Sequence, residues 1–456
     1  MTTWPRTQDL RSWLALLESR GELGVVQSPI SADHDVAAVL EHCDARRAVH
    51  FRNVRNAAFT LAGNLIHHRE HLALALGCSG HQTAGRFAAA LRRPRPWAEL
   101  PAANAPVLAN RLDGAELLSL LPLTLQHDRD AGRYFTSALL VVRDPASGQV
   151  NLSINRLQAA GEREVRALVL PGRLRRVLEE SEQAGHDLDV AIVVGADPLL
   201  TLASQSPADR ELDDLQVASA LRATPLPVVE APLTGIPVPA GAEFLLEGRF
   251  RRGQRAPEGP FGEFPRTYGP AGPAPVIDIN AAYHRDQAIF QTILSGGREH
   301  FLIGGIPREA RLLTALRRVN PDVAAVRLTE GGSCRFHAVV SLRNPRPGDA
   351  VAVMTAALAA ITTVKLAVVV DDDVDIFDDE HVAWAVATRV QADRDLLIVP
   401  RTRGSSLDPS AEGGLSAKAG IDATIPAGER ERYARMTVTP SSQDALQSYL
   451  SEADGL

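Results

Sequence analysis

Apolar positions recur at two different spacings along the chain, helical near its start and strand-like further on. Leucine and tryptophan side chains in residues 10–17 repeat every three to four positions, which predicts an amphipathic helix that stops at Gly21. Short apolar runs at 49–51 and 59–61 have the length of strands, and residues 70–76 again show the helical period. The beginning of the chain is therefore predicted to form a mixed α/β unit.

The middle and the end of the chain differ in the order of these patterns. In the middle part, short apolar runs follow one another between turn-forming residues, which favours a barrel or a sandwich. These runs are 137–142, 150–154, 188–194, 226–229 and 244–246. After about residue 300, helical and strand-like runs alternate, which indicates an α/β module. These runs are 309–319, 323–328, 336–341, 350–361 and 365–370, and a polar tail from 410 carries one amphipathic piece at 444–450.

Length, charge and cysteine content narrow the class of protein. A chain of 456 residues predicts two or three domains, with the proline-rich stretch 94–106 as a linker. The net charge of −7 argues against a nucleic-acid-binding surface. Three scattered cysteines without CxxC spacing argue against a disulfide framework or a zinc site and fit a reducing cytoplasm. No apolar signal sequence is expected at the start, and Lys365 interrupts the longest apolar stretch, 351–370, so no membrane span is expected.

Two glutamates lie five residues apart in the segment Ala-Pro-Glu-Gly-Pro-Phe-Gly-Glu, residues 256–263. Its prolines and glycines exclude a helix and predict a shaped loop around Glu258 and Glu263. Two carboxylates this close in a partly dry loop do not both ionise readily, so one is expected to keep its proton near neutral pH. The pair is therefore a candidate for general acid catalysis.

Two further segments carry polar groups that suit a ligand. The strand-like run Asn151-Leu-Ser-Ile-Asn-Arg156 places amide and hydroxyl groups on one face. Such a face indicates a solvated edge strand, which is the simpler interpretation, or a surface that binds a ligand. The loop 202–207, followed by Asp213 and Asp214, has the oxygen ligands that a hard cation requires, although acids at such positions commonly serve as helix caps.

Two motifs that suggest metal binding have simpler explanations. The acidic run Asp371–Asp375 has the spacing of a magnesium diphosphate motif, but it directly follows a strand-like run, so a role in a turn and a helix cap is favoured. His67 and His71 lie one helical turn apart, and no third ligand is near in sequence, so they are expected on an exposed helix face.

Taken together, these segments resemble the UbiD-type decarboxylases, which depend on prenylated FMN and include 3-polyprenyl-4-hydroxybenzoate and ferulic acid decarboxylases. The resemblance runs almost from end to end, and its most specific parts are the Asn-x-x-x-x-Arg run at 151–156 and Glu258-Gly-Pro-Phe-Gly-Glu263. Further matching segments lie at 9–23, 61–64, 127–130, 242–243, 370–375 and 404–409.

The resemblance implies a Glu-Arg-Glu catalytic set in which Arg156 lies between Glu258 and Glu263. Glu263 corresponds to the proton donor of the family, and Arg156 and Glu258 would orient it and hold its charge state. The implied activity is the non-oxidative, reversible decarboxylation of an aromatic, heteroaromatic or α,β-unsaturated carboxylic acid through a covalent adduct with prenylated FMN. The alternative is a non-catalytic subunit or scaffold of a biosynthetic complex whose cofactor site has degenerated.

The resemblance also implies where the cofactor, the metals and the substrate bind. Cofactor contacts are expected at Asn151, Ser153, Ile154, Arg156, Arg173 and Asp214. A divalent ion, Mn²⁺ or Mg²⁺, would bridge to the flavin phosphate from Asn151 and Asp214. A monovalent ion such as K⁺ would bind at Ala203, Ser204 and Ser206. The substrate pocket is expected at Leu170, Arg266, Ser405 and Leu407.

Three departures from the family pattern concern the surroundings of the cofactor and the substrate. Leu174 stands where the family has a metal-binding histidine, and Asp214 replaces a glutamate at the same site. Arg266 stands where relatives usually have glycine, and next to the proton donor it would lower that group's pKa or bind a second carboxylate of the substrate. The catalytic set is intact, which favours an active enzyme with an altered cofactor site.

The resemblance implies a multidomain fold of the α+β and α/β classes. Its expected parts are an N-terminal α/β domain at 1–112, a central split β-barrel of the flavin reductase type that binds prenylated FMN at 113–298, and a C-terminal α/β oligomerisation domain with the tail at 299–456. The expected partners are a small-molecule carboxylic acid and a flavin prenyltransferase that supplies the cofactor. The protein is expected to be a cytoplasmic homo-oligomer, a dimer or a hexamer.

Overall fold

Helices and strands follow the predicted pattern along most of the chain. The structure is a computed structural model that describes residues 9–112, 117–207, 209–436, 438–439 and 442–453. Its helices are α1 (Leu10–Ser19), α2 (Asp35–Cys43), α3 (Arg69–Leu76), α4 (Thr83–Arg92), α5 (Arg173–Gln183), α6 (Pro198–Ala203), α7 (Asp214–Arg222), α8 (Arg298–Val319), α9 (Asp349–Ala360), α10 (Asp379–Arg389) and α11 (Gln443–Ala453). Its strands are β1 (Leu23–Val26), β2 (Ala48–Phe51), β3 (Thr60–Gly63), β4 (Ala98–Glu99), β5 (Asn110–Arg111), β6 (Tyr134–Phe135), β7 (Leu139–Arg143), β8 (Val150–Ile154), β9 (Leu157–Ala160), β10 (Glu164–Ala167), β11 (Leu188–Val194), β12 (Pro227–Glu230), β13 (Pro237–Pro239), β14 (Phe244–Glu258), β15 (Phe261–Gly262), β16 (Tyr268–Gly269), β17 (Gly272–His284), β18 (Ile289–Gln291), β19 (Val323–Leu328), β20 (His337–Leu342), β21 (Leu366–Asp371), β22 (Leu396–Arg403) and β23 (Leu415–Ala423).

The first helix shows how local sequence starts the fold. The Asp9 carboxylate accepts a hydrogen bond from the backbone N–H of Ser12 at 2.9 Å, which satisfies one of the free N–H groups of the first turn of α1. Trp13 is fully buried on the inner face of α1, as the helical spacing predicts. Gly21, with a φ of +72°, follows the last turn and ends the element.

Three principal sheets organise the described chain. The N-terminal sheet has the order β1-β2-β3-β18, so one of its strands comes from much later in the sequence. The central sheet has nine strands in the order β6-β9-β10-β17-β14-β11-β7-β8, with β5 paired to β17, and all of its neighbours are antiparallel. The C-terminal sheet has the order β19-β20-β21-β23-β22 and packs against α8 and α9. The predicted fold class is thereby confirmed, and the domain boundaries at 112/113 and 298/299 stay predictions.

The predicted loop around the two glutamates is partly wrong, because Glu258 ends a long strand. Strand β14 pairs with β17 as far as Glu258, which lies opposite Gly272, and only then does the chain turn towards Glu263. Pro257 is tolerated in β14 because the opposite edge of this strand is paired with β11 only as far as Phe250. A strand end holds Glu258 more firmly than a loop would.

Helix α8 is twice as long as the sequence pattern predicted. It begins at Arg298, whereas a helix was expected only over 309–319. Gly304, Gly305 and Pro307 have the character of helix breakers, which concealed the first half of the helix in the sequence. In the structure the two glycines face side chains from the segment before β20, and a Cβ on Gly305 would lie 2.8 Å from Cβ of Cys334. The glycines therefore serve close packing instead of ending the helix.

The predictions for the two possible metal-binding motifs, the acidic run Asp371–Asp375 and the histidine pair, have different outcomes. Asp371 ends β21 and a turn follows it, as predicted for the acidic run, but the predicted helix cap is wrong, because Asp378 beyond the run caps α10. The prediction for the histidine pair is wrong, because His67 and His71 are both buried and their rings lie 4.2 Å apart. The ring of His71 lies 6.0 Å from that of Trp13 on α1, and its Nε2 lies 2.8 Å from the Glu22 carboxylate. Burial lowers the pKa of His67 to about 4.

The described chain contains no group of three or more His, Cys, Asp or Glu side chains arranged to hold a metal ion. Its three cysteines are free thiols. None of the helices among the described residues has both the length and the apolar character needed to cross a membrane.

Candidate active site

Arg156 lies between the two glutamates, as the resemblance implied. Its Nε and Nη2 donate to the two carboxylate oxygens of Glu258 at 2.9 Å each, which is a bidentate pair. Its Nη1 donates to Oε1 of Glu263. The structure therefore brings Arg156 to two glutamates that lie more than a hundred positions later in the sequence, and one guanidinium orients both acids.

Aromatic and backbone contacts hold this arrangement in place. The guanidinium of Arg156 lies 5.0 Å above the ring of Phe261, which itself packs against Tyr134 at 4.4 Å. The backbone N–H of Gly262 donates to Asp130 at 2.8 Å, and a Cβ on this glycine would lie 2.5 Å from Nδ1 of His127. The turn between the two glutamates is thus fixed by contacts with the 127–130 segment.

Glu263 differs from Glu258 in its surroundings. The Glu258 side chain is only 2% exposed, and Arg156 binds both of its oxygens. Glu263 is 11% exposed and reaches the wall of a cavity. Burial raises the pKa of Glu263, an effect that the charge of Arg156 and a bond from the Phe264 N–H only partly oppose. A carboxyl that readily keeps its proton therefore faces the cavity.

The cavity has a volume of about 900 Å³, which is near the upper end of the roughly 300–1,000 Å³ typical of small-molecule sites. Apolar side chains such as Ile154, Phe264 and Leu407 form much of its wall. Its ionisable lining residues are seven arginines, one glutamate and one histidine: Arg92, Arg156, Arg173, Arg308, Arg311, Arg318, Arg335, Glu263 and His300. An apolar cavity with this excess of positive charge suits a planar ring system with anionic groups.

Strand β8 forms the wall where cofactor contacts were expected. It lies at the edge of the central sheet, as the simpler interpretation expected, but its polar face is not solvated, because Asn151 is buried and the strand lines the cavity. Asn151, Ser153 and Ile154 are part of this wall, and Arg173 at the start of α5 lies beside them. The Ser153 hydroxyl donates to the Asn155 side chain at 2.9 Å, which leaves the hydroxyl oxygen able to accept from a ligand.

The expected divalent-metal position contains a carboxylate already paired with an arginine. Oδ2 of Asp214 accepts bonds from the Leu152 N–H at 2.7 Å, from Nδ2 of Asn151 at 3.1 Å and from Arg173. Burial raises the pKa of Asp214 to about 6 even with Arg173 beside it. Leu174 does not contribute, because its side chain is buried in the hydrophobic core beneath α5.

Two oxygens at this position nevertheless remain without partners. Oδ1 of Asn151 and Oδ1 of Asp214 are buried, and neither accepts a hydrogen bond within the described chain. Buried oxygens without donors are costly, and a cation satisfies them as well as a hydrogen bond does. The residues present therefore fit a cation held by two protein oxygens, with its remaining ligands supplied by phosphate and water. They do not form the three-ligand protein site that a histidine at Leu174 would complete.

In the loop where a monovalent ion was expected, the serine hydroxyl groups donate hydrogen bonds to nearby backbone carbonyls. Ser204 donates to the Thr201 carbonyl at 2.6 Å, and Ser206 donates to the Ala203 carbonyl at 2.6 Å. Ser204 and Ser206 also line the cavity, so their hydroxyl oxygens keep lone pairs towards it. Binding of K⁺ by Ala203, Ser204 and Ser206 stays a prediction.

The four expected substrate residues fall into two pairs. Leu170 and Leu407 line the cavity. Arg266 and Ser405 are not among its lining residues: Arg266 is exposed and donates to the Gly296 carbonyl at 3.0 Å, and the Ser405 hydroxyl accepts from the Leu407 N–H at 3.2 Å. Their assignment to the substrate stays a prediction.

Three cavity residues were missed in the sequence: His300, Arg308 and Arg335. His300, Gly304 and Arg308 are spaced four residues apart and share one face of α8, which is a helical pattern that the sequence does contain. The pattern went unnoticed because Gly304, Gly305 and Pro307 argued against a helix in this segment.

Three stretches of the chain match models of one protein family. Residues 14–91, 98–298 and 301–423 match, respectively, the N-terminal, Rift-related and C-terminal domains of 3-octaprenyl-4-hydroxybenzoate carboxy-lyase, the UbiD models. These matches cover most of the chain, including every residue of the Glu-Arg-Glu set.

Known proteins resemble the chain over nearly its whole length. Anhydromevalonate phosphate decarboxylase of Methanothermobacter thermautotrophicus is 36% identical over 415 residues, which cover 91% of this chain and 96% of that protein. Phenolic acid decarboxylase of Escherichia coli O157:H7 is 33% identical and covers 92% of each chain. The UbiD-class enzyme HmfF of Pelotomaculum thermopropionicum in complex with FMN is 41% identical, with a TM-score of 0.94 over 97% of this chain and 100% of that chain. An evolved dimeric form of HmfF in complex with prFMN is 39% identical, with a TM-score of 0.88 over 95% of this chain and 97% of that chain.

Proposed function

This chain belongs to the UbiD family of prenylated-FMN decarboxylases and is a carboxy-lyase, and from this premise we propose that Glu263 supplies the proton in a non-oxidative, reversible decarboxylation. The observation that carries the proposal is the position of Arg156, which binds Glu258 on its buried side and Glu263 on the cavity side. A scaffold would have no need for a buried arginine shared between two acids at the wall of a large cavity.

Glu263 acts in this proposal as a neutral acid. Loss of carbon dioxide leaves the electron pair of the broken C–C bond on the substrate carbon, and Glu263 gives its proton to that carbon. Solvent then returns a proton to Glu263, so one proton is consumed for each carbon dioxide released. In the carboxylation direction, the Glu263 carboxylate removes the proton from the same carbon. Burial supports this role because it favours the protonated form.

Arg156 and Glu258 position the acid and balance its charge. Both Glu258 oxygens are occupied by Arg156, so Glu258 keeps the guanidinium in one orientation. The Nη1 group of Arg156 lies at the cavity wall, where its hydrogen bond orients Glu263 towards a bound substrate. Phe261 and Phe264 cover this end of the cavity with apolar surface and keep water away from the reacting carbon.

The cofactor of the family fits the cavity. Prenylated FMN, when bound, supplies the electron sink for the electron pair that decarboxylation leaves behind. The cofactor would be held along β8 and the start of α5 by Asn151, Ser153, Ile154, Arg156 and Arg173. Asp214 would support this contact through its hydrogen bond with Asn151. A divalent ion, Mn²⁺ or Mg²⁺, would use the two unpartnered oxygens of Asn151 and Asp214 and would join them to the flavin phosphate.

The substrate is an aromatic, heteroaromatic or α,β-unsaturated carboxylic acid in this proposal. Relatives bear the names anhydromevalonate phosphate decarboxylase and phenolic acid decarboxylase, so the family accepts acids of very different shape. Leu170 and Leu407 offer apolar contacts to such an acid at the cavity wall. A flavin prenyltransferase would supply the cofactor.

We further propose a homo-oligomer formed through the C-terminal part. Strand β22 lies at the edge of its sheet and exposes Leu396 and Ile398, and one form of HmfF is a dimer. Light scattering of the purified protein tests this proposal, which predicts a mass of at least twice the 48.9 kDa of the chain. A monomer at micromolar concentration would contradict it.

The function is tested by producing the protein together with a flavin prenyltransferase and purifying it. The proposal predicts an absorbance spectrum with bound flavin and release of carbon dioxide from at least one member of a panel of cinnamic, phenolic and heteroaromatic acids. A protein that loads flavin but releases no carbon dioxide from any of these acids would contradict the proposed substrate class. A protein that binds no flavin at all would support the scaffold alternative.

A further inference from the structure

A cationic cluster lines the cavity beside the proton donor and has no part in the proposed proton transfer. It consists of His300 and Arg308 on α8 and of Arg335, which lies just before β20. We refer to these three residues as the His300–Arg308–Arg335 cluster.

Neither arginine of the cluster has an acidic partner within the described chain. Nη1 of Arg308 donates to the Gly304 carbonyl at 2.7 Å and to Oε1 of Gln205 at 3.3 Å. Nη1 of Arg335 donates to the carbonyls of Phe301 at 3.2 Å and Cys334 at 3.0 Å. All of these acceptors are neutral, so they orient the guanidinium groups without balancing their charge.

Other buried arginines of the chain show the contrast. Arg69 pairs with Glu309, Arg222 with Asp197 and Arg389 with Asp373. An unpaired charge away from water is among the most costly arrangements in a protein interior. Two such charges on one cavity wall therefore indicate that their counter-ion comes from a ligand.

The backbone is adapted to bring the two guanidinium groups together. A Cβ on Gly304 would lie 1.9 Å from Nη2 of Arg335 and 2.9 Å from Nη1 of Arg308, so both groups meet over this glycine. Burial lowers the pKa of Arg335 to about 10, and burial and the neighbouring arginines lower that of Arg308 well below its ordinary value. Any larger residue at position 304 would push the two groups apart.

His300 completes the cluster with a neutral donor. Its Nδ1 accepts a hydrogen bond from the Gly296 N–H at 3.2 Å, which leaves the ring hydrogen on Nε2. Burial holds the pKa of His300 at about 3, so the ring is uncharged near neutral pH. A neutral imidazole N–H and two guanidinium groups are donors without an acidic acceptor.

The cluster lies at the Glu263 end of the cavity. Arg335 packs over the ring of Phe264 at 5.4 Å, and Phe264 directly follows Glu263 in the chain. Gly296, which holds His300, would place a Cβ 3.5 Å from the Glu263 carbonyl oxygen. The two unpartnered oxygens and Arg173, which suit the flavin phosphate, belong to the β8 and α5 side of the cavity.

We propose that the His300–Arg308–Arg335 cluster binds a second anionic group of the substrate, a carboxylate or a phosphate, while the carboxylate that is lost faces Arg156 and Glu263. The inference rests on the proposed decarboxylation and narrows its substrate to acids with a second anionic group. The cluster orients the substrate and sets its specificity, and it does not exchange protons with the reacting carbon.

The test compares three acids on one scaffold in the flavin-loaded enzyme: cinnamic acid, 4-carboxycinnamic acid and cinnamic acid with a 4-phosphate. The wild type is expected to use one of the two dianionic acids at least tenfold better in kcat/KM than cinnamic acid, and the better one identifies the second group. R308Q and R335Q should lower kcat/KM for that acid roughly tenfold to hundredfold, mainly through KM, because a charged hydrogen-bond donor is lost. Their kcat/KM for cinnamic acid should fall much less, so that the preference for the dianionic acid narrows.

The matched control is R317Q, which removes the same charge from an exposed position of α8 outside the cavity wall. It should leave the preference of the enzyme among the three acids unchanged. Equal use of the three acids by the wild type would overturn the inference, as would an equal loss for all three acids in R308Q. Reduced flavin occupancy in R308Q with an unchanged preference would assign the cluster to the flavin phosphate and would also overturn it.

A binding measurement separates this inference from the proposed function. Terephthalate carries two carboxylates and is titrated into the flavin-loaded protein by calorimetry, with wild type, R308Q and R317Q side by side. Arg308-dependent binding without release of carbon dioxide from any cinnamic, phenolic or heteroaromatic acid of the panel would support the cluster and contradict the proposed function. Turnover of cinnamic acid without terephthalate binding or a dianion preference would support the proposed function and contradict the cluster.

Discussion

The two arginine sites on either side of Glu263 are balanced in opposite ways. Arg156 is bound by two carboxylates of the protein, one of them on both of its oxygens. Arg308 and Arg335 are held by carbonyl and amide oxygens and have no acid within the described chain. Both sites lie at the wall of the same cavity.

The difference shows which charges the protein completes by itself and which it leaves to a ligand. At Arg156 the protein supplies the counter-charge, so the geometry of the catalytic set exists before any ligand binds. At the His300–Arg308–Arg335 cluster the counter-charge is missing, so the free protein bears a cost that an anionic ligand relieves. The first site suits proton transfer, and the second suits selection of the substrate.

The largest expected effect comes from removing the balanced arginine. R156Q leaves Glu258 and Glu263 without the guanidinium that orients them, and kcat should fall by about 10³-fold at equal flavin occupancy. Breaking a buried ion pair should also lower the free energy of unfolding by about 3 kcal/mol. Steady-state kinetics and urea denaturation measure the two effects. An R156Q enzyme with more than a tenth of the wild-type kcat would contradict the role assigned to Arg156.

Removing the Asp214 charge on the β8 side of the cavity should have a smaller effect on the enzyme, because Asp214 acts on flavin binding. D214N removes the charge that pairs with Arg173 and weakens one of the two unpartnered oxygens as a metal ligand. The flavin dissociation constant should rise roughly tenfold to hundredfold, as is usual when a residue that supports a metal site is lost. Fluorescence titration with FMN in the presence of Mn²⁺ measures this change, with D213N as the neighbouring control. Unchanged flavin affinity in D214N would remove Asp214 from the cofactor site.

The two arginine sites should also be coupled through Glu263. The acid form of Glu263 donates the proton, so kcat should fall as pH rises through its pKa, and burial places that fall above the range of an ordinary glutamate. The Arg335 charge interacts with Glu263 and favours its ionised form. R335Q should therefore move the alkaline fall of kcat to higher pH.

The control for this shift is again R317Q, which should leave the pH profile of kcat in place. A shift of the R335Q profile to lower pH would contradict the sign of this coupling. An unchanged R335Q profile would show that the two sites are electrostatically independent.

The smallest expected effect comes from an exposed pair. Arg175 and Glu179 lie one helical turn apart on α5 and are about half exposed. R175Q should change the free energy of unfolding by only about 0.3–0.5 kcal/mol, because water screens such pairs. Urea denaturation of R175Q beside R156Q gives this comparison directly, and a loss above about 1 kcal/mol would contradict it.

Much of the fold could be predicted from sequence because periodicity reports which face of an element is buried. The α1 helix, strands β8 and β11 and the alternation after residue 300 followed their patterns closely. Elements that the pattern missed depend on contacts with distant parts of the chain. Strand β14 runs through Arg251–Glu258 only because β17 pairs with it, and its polar and proline-containing sequence does not suggest a strand by itself.

The candidate site also has residues that a local motif indicated and residues that depend on contacts between distant parts of the chain. Glu258 and Glu263 were evident from a local motif, but their bond to Arg156 joins segments a hundred residues apart, so only the family resemblance indicated it. Leu174 was recognised as a departure only through the resemblance, and the two unpartnered oxygens of Asn151 and Asp214 became evident only in the structure. His300 and Arg308 were missed because glycines that serve close packing were interpreted as a helix end.

The central claim of this account is that Glu263 donates the proton. It is tested most directly by kcat of the E263Q variant, measured at the same flavin occupancy as the wild type on an acid that the wild type decarboxylates. The amide keeps the shape of the side chain but carries no acidic proton, so kcat should fall by about 10²–10⁴-fold. An E263Q enzyme that contains its flavin and keeps the wild-type kcat would contradict the account.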